Sequence, residues 1–122
     1  MISQHEENLD LVDGMPATDI MAHGMPLTPF GKRSRKRYWD QYEETGKVYA
    51  TLGAEAYMIL LDAMNRCSDP ADRGCLYQQI RSTANFSGTI GNITIGQNGK
   101  ALRPLCIYAI EGGRSKFPLK VY

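Results

Sequence analysis

Phe86-Ser-Gly-Thr-Ile-Gly-Asn-Ile-Thr-Ile95, then Gly96-Gln-Asn-Gly-Lys100, then Ala101-Leu-Arg-Pro-Leu-Cys-Ile-Tyr-Ala-Ile-Glu111, is the stretch whose reading decides the fold. Two apolar, β-branched runs flank Asn98-Gly99, and a third follows Gly112-Gly113. Asn-Gly accepts the positive φ angles of a type I′ turn, so the pattern predicts a hairpin and a third strand. The expected strands are 89–95, 102–111 and 115–121. In the middle one, Leu105, Ile107 and Ala109 lie on one face and Cys106, Tyr108 and Ile110 on the other. Both faces are apolar, so this strand is expected to be covered on both sides.

Three helices are expected before it. Thr28-Pro29 combines an N-cap hydroxyl with a proline at the first helical position, and this helix should run to Glu44 and stop at Thr45-Gly46. Phe30, Tyr38, Trp39 and Tyr42 should supply its apolar contacts. From Tyr49 to Arg66, Leu52, Ala56, Ile59, Leu60, Ala63 and Met64 recur at helical spacing over a wide arc, which predicts a mostly buried helix. Asp69-Pro70 repeats the cap logic for a third helix over 70–83. A short strand is expected near Gly14–Thr18. Three helices do not supply both covers for a two-sided strand, so the pattern points to partner structure.

With 122 residues and 43% hydrophobic content the chain fits one domain or a piece of one. Its 14 Lys and Arg against 13 Asp and Glu exert no global pull toward nucleic acid. No apolar run approaches the length of a membrane span, and the acidic start Met1-Ile-Ser-Gln-His-Glu-Glu7 does not read as a signal peptide. Cys67, Cys75 and Cys106 form no C-x-x-C pair and His5 and His23 lie far away, so no zinc site and no other metal or cofactor is expected. Cys67 and Cys75 are near enough to bridge, although spacing alone does not require it; Cys106 reads as a small buried residue. Lys32-Arg-Ser-Arg-Lys-Arg37 is followed by Asp40, Glu43 and Glu44, with Lys36 and Asp40 paired at i,i+4, so it reads as a solvated helix face. There is no nucleophile–base pair, phosphate loop or carboxylate pair, and no enzyme activity is expected.

Four stretches in order carry a resemblance: Thr28-Pro-Phe-Gly-Lys32 with Tyr38 and Tyr42; Tyr49-Ala-Thr-Leu-Gly-Ala-Glu-Ala-Tyr57; Asn85-Phe-Ser-Gly-Thr-Ile-Gly91; and Asn98-Gly-Lys100 with Arg103-Pro104 and Ile110-Glu-Gly-Gly113. Together they resemble the C-terminal part of the leucine/isoleucine/valine-binding proteins, type I periplasmic substrate-binding proteins of branched-chain amino acid ABC transporters. The resemblance implies an α/β fold: the C-terminal part of a two-lobed clamshell, with three helices followed by a hairpin and a closing strand. Residues 1–10 are polar and are expected to form a disordered tail; the resemblance implies a second-lobe strand and helix over 11–47 and first-lobe helices and closing strands over 48–122, with neither lobe complete.

It further implies a non-catalytic solute-binding component that takes a branched-chain amino acid or related small ligand by lobe closure and hands it to an ABC permease. The implied location is the periplasm, or the cytoplasm if the chain is expressed as written. Tyr49 is the expected ligand contact, an apolar ring with a polar tip at a helix start. Asp19 and His23 follow the first strand and read as loop polar residues. Ala54-Glu55 departs from the family's usual Tyr-Asp, which bears on packing. A chain of this extent is not expected to bind ligand competently alone. The rival expectation is a truncated fragment acting as a self-associating structural module through exposed strand edges.

Overall fold

The computed structural model describes residues 13–20, 25–44, 46, 48–112, 114–115 and 120–121. Its elements are β1 (Pro16–Asp19), α1 (Pro29–Tyr42), α2 (Val48–Asn65), α3 (Arg73–Arg81), β2 (Phe86–Ser87), β3 (Asn92–Ile95), β4 (Ala101–Leu102), β5 (Cys106–Glu111), β6 (Arg114–Ser115) and β7 (Lys120–Val121). This is an α/β arrangement with two small antiparallel sheets. The tail expected over 1–10 and His23 lie outside the described residues.

The chain divides into two compact units. One runs from Leu27 to Arg103; the other joins the segment ending at Pro26 to the segment starting at Pro104. In the 27–103 unit, α1 to α3 accompany the sheet β2-β3-β4. In the other unit β5 is the central strand. Pro16 to Asp19 pair with Ala109 to Cys106 along one side, and β6 and β7 pair with the two ends of β5.

The strand expected over 102–111 is two strands. β4 ends at Leu102 and β5 begins at Cys106, and the break contains Pro104, which has no N–H to donate to a ladder. The hairpin forms, but not through a two-residue type I′ turn. Gly99 N–H donates to the Gly96 carbonyl (2.9 Å) and Gly96 N–H to the Lys100 carbonyl (2.8 Å), while Asn98 Oδ1 accepts from Lys100 N–H (3.0 Å). Gly99 has φ +78°, and Asn98 is not among the residues with positive φ. The turn is therefore a three-residue loop in which only glycine takes the left-handed position.

α1 starts where its cap predicts. Thr28 is extended, and its hydroxyl accepts from Gly31 N–H (3.1 Å) with Pro29 at the first helical position. It ends at Tyr42, earlier than expected, because Glu43 adopts φ 53° and returns its N–H to the Trp39 carbonyl (2.7 Å). Tyr38 and Tyr42 stack one turn apart with centroids 4.7 Å apart, while Trp39 and Tyr42 are exposed rather than core contacts. Lys36 and Asp40 form the expected exposed pair at 2.5 Å.

Asp69 does not cap the third helix. Its carboxylate accepts from Ala71 N–H (2.9 Å) in a turn, and the cap is Asp72, which accepts from Gly74 and Cys75 N–H (2.9 and 3.2 Å). The later start accommodates the Cys67–Cys75 disulfide, whose Cα atoms are 6.0 Å apart. Arg66 completes this corner: its guanidinium pairs with Asp62 (2.9 Å) and donates to Gln79 Oε1, the Gln79 carbonyl, Ser82 and Thr83 at 3.0–3.2 Å. The disulfide closes a loop with a sequence separation of 8. Reducing it should lower the stability of the 27–103 unit by about 2.5 kcal/mol in urea denaturation, the chain-entropy cost of so short a loop.

α2 is not mostly buried. Among the described residues the buried apolar side chains are Met25, Ala63, Ile93 and Cys106, and on α2 only Glu55 and Ala63 are enclosed. Tyr57 is 62% exposed and Leu60 39%. The helix is apolar over a wide arc because its sequence suits a covered position, but among the described residues Tyr57, Met58 and Leu60 remain exposed.

Candidate functional site

Tyr49 is the second residue of α2 and is 86% exposed, its ring free to meet a ligand or another surface. It belongs to the 27–103 unit. Asp19 ends β1 in the other unit, where its carboxylate accepts from Ile20 N–H (2.6 Å) and its carbonyl accepts from the Cys106 thiol (3.3 Å). Burial, followed by the nearby Asp19 charge, pushes the Cys106 thiol up, although hydrogen bonding to the Asp19 backbone opposes the shift. Cys106 is thus a protonated, enclosed thiol at neutral pH, which suits packing and not nucleophilic chemistry.

The most developed polar constellation centres on Glu55, which by sequence alone bears only on packing. Glu55 sits one to four residues from Leu52, Ala56 and Ile59 on the inward arc of α2 and is 2% exposed. Its Oε1 accepts from Thr89 N–H (2.9 Å), the Thr89 hydroxyl (2.5 Å) and Arg103 Nη2 (3.2 Å). Its Oε2 accepts from Arg103 Nη1 (2.6 Å). A carboxylate in such a place is tolerable only when paired and hydrogen-bonded. The signal for it is an acid set among small and aliphatic residues in an apolar helix.

Beside this pair an apolar groove of about 390 Å³ runs between α2, α3 and the β3–β4 hairpin, lined chiefly by Leu52, Ala56, Ile59, Ile80, Ile93 and Ile95. The Glu55–Arg103 pair at its edge is internally neutralised, so the groove offers apolar contact and no unmatched charge. A second, more polar cleft of about 410 Å³ lies between Asp62, Arg66 and residues 82–87. Its guanidinium is already engaged by the α3 end. No group of acidic, histidine or cysteine side chains suited to a metal occurs among the described residues. No helix among them is long and apolar enough to cross a membrane.

Solved structures share this architecture. A leucine-binding protein from Thermotoga maritima superposes with a TM-score of 0.75 and 29% identity, over 95% of this chain and 34% of its own. The chain shares the fold of part of a leucine-binding protein. An ABC-transporter substrate-binding protein of Desulfitobacterium hafniense in complex with leucine matches with a TM-score of 0.73 and 18% identity, over 86% of this chain and 31% of its own. A solute-binding protein of R. palustris in complex with benzoate gives 0.72 and 20%, over 90% of this chain and 30% of its own. These last two likenesses are of fold. The segment therefore spans about a third of the length of the proteins it matches. No protein-family model matches it, and no curated protein matches it.

Proposed function

We propose that this chain is part of the non-catalytic solute-binding component of an ABC transporter, taking a branched-chain amino acid or a related small ligand between two lobes. The observation that supports this is the correspondence of 95% of the chain to 34% of a leucine-binding protein. The uncovered apolar arc of α2 fits the same reading, since the remaining two thirds of such a fold would have to supply its cover. Tyr49 is the proposed ligand contact. The 27–103 unit is proposed to join one lobe, and the strands ending at Asp19 and starting at Cys106 the other. α1 is thereby proposed to go with α2, in place of the expected boundary near residue 47; the packing of Thr28 and Gly31 on Gly88 and Thr89 supports this. The proposed location is the periplasm, and the proposed partner of the completed protein is a permease.

Most of the ligand-binding wall would lie outside this segment. Calorimetric titration of the isolated chain with leucine, isoleucine and valine is expected to give no saturable heat; micromolar affinity would refute its dependence on the rest of the fold. A second reading, self-association, is favoured by one observation: Leu102 is 62% exposed on the edge strand β4. Light scattering separates the two, a stable dimer supporting the second.

A further inference from the structure

Both covalent links between the two units begin at residues tied to a single turn. The chain enters the 27–103 unit at Leu27 and leaves it at Arg103, with Pro26 and Pro104 immediately beyond. At the entry, Thr28 N–H donates to the Thr89 carbonyl (2.9 Å), and the Thr28 hydroxyl donates to the Gly88 carbonyl (2.5 Å). At the exit, Arg103 is held by both oxygens of Glu55, and Glu55 is held in turn by the N–H and hydroxyl of Thr89. Thr28 and Thr89 are 61 residues apart in sequence, so this closure is purely tertiary. Arg103 and Glu55 are both largely enclosed, at 11% and 3% side-chain exposure.

We infer that the Gly88–Thr89 turn is a positioning anchor that holds the entry and exit of this unit as one body, with Glu55 as the relay to the exit. Thr89 is suited to the task because three of its groups act at once: its carbonyl serves the entry, and its N–H and hydroxyl serve the exit. Proline at each link restricts φ and withholds a donor, so neither link extends a ladder of the unit it leaves. Bending is thereby confined to residues outside the anchor. The purpose of such a device rests on the two-lobed reading above, because lobe closure needs links that bend from a fixed root. The coupling itself does not rest on it.

Hydrogen–deuterium exchange on the full 122-residue chain tests the coupling. Thr89→Val keeps the shape of the side chain and removes its hydroxyl. It should accelerate exchange in peptides covering 28–32 and 101–103 together, by about tenfold, as expected for loss of a buried charge-assisted hydrogen bond. Glu55→Gln should accelerate the same two peptides, α3 should be unchanged, and Thr89→Ser should match the parent chain. The inference is overturned if one link responds without the other, if α3 accelerates equally, or if Thr89→Ser behaves like Thr89→Val. Should Thr89→Val not fold, Glu55→Gln against Thr89→Ser gives the same decision. No ligand enters the measurement, so its failure leaves the solute-binding reading standing, and failure of ligand binding leaves the anchor standing.

Discussion

Glu55→Ala is expected to be the most damaging single substitution in the 27–103 unit, lowering its stability by about 3–5 kcal/mol. The size follows from what remains. Arg103 would keep its charge at 11% side-chain exposure with no counter-ion, and the N–H and hydroxyl of Thr89 would lose their acceptor. Forming a buried ion pair gains little over well-packed apolar side chains, but removing one partner strands the other. Glu55→Gln should cost less, since an amide oxygen can still accept from Thr89. Urea denaturation followed by far-UV circular dichroism measures both. A loss below about 1 kcal/mol for Glu55→Ala, the scale of an ordinary exposed pair, would mean that the cluster is not closed as described.

The second large effect concerns Gly31, the third residue of α1. Alanine normally favours a helix interior over glycine by about 1 kcal/mol. Here a Cβ would lie 2.2 Å from the Thr89 carbonyl oxygen and 3.0 Å from its carbon, both backbone atoms. The start of α1 or the 88–89 turn must move, and the Thr28 cap bonds move with it. Gly31→Ala should therefore destabilise by about 2 kcal/mol, the usual scale for overpacking. Gly53 is the internal control. It is also helical, but an added Cβ meets nothing within 4 Å, so Gly53→Ala should stabilise by up to about 1 kcal/mol. Opposite signs for one substitution at two helical glycines would locate the effect in the contact with Thr89; equal signs would contradict it.

The helices and the order of elements were legible because their signals are local. Thr28-Pro29 marks the start of α1, and the spacing of Leu52, Ala56, Ile59 and Ala63 marks α2. What was not legible depends on tertiary context. Asp69 and Asp72 are both acceptable caps by sequence, and the Cys67–Cys75 bridge accompanies the later start. Asn98-Gly99 reads as a two-residue turn until the bond from Gly96 N–H to the Lys100 carbonyl leaves three residues, 97–99, in the loop. Glu55 and Arg103 are 48 residues apart, and no local pattern announces that they meet. Tyr49 illustrates the opposite limit. The sequence offers it as a ligand contact, and its ring stands 86% exposed at the start of α2, where a partner surface outside this chain would decide its role.

The central proposal is that this chain supplies part of a two-lobed solute-binding protein. A chimera tests it most directly: residues 13–121 replace the matched segment of the Thermotoga maritima leucine-binding protein, and leucine is titrated calorimetrically. On the proposed reading the rest of that protein supplies most of the ligand wall, so leucine is the proper probe. The account predicts saturable binding that Tyr49→Ala weakens by at least about tenfold, the scale of a buried aromatic contact. A folded chimera that binds no leucine would contradict the claim, and binding untouched by Tyr49→Ala would remove Tyr49 from the site.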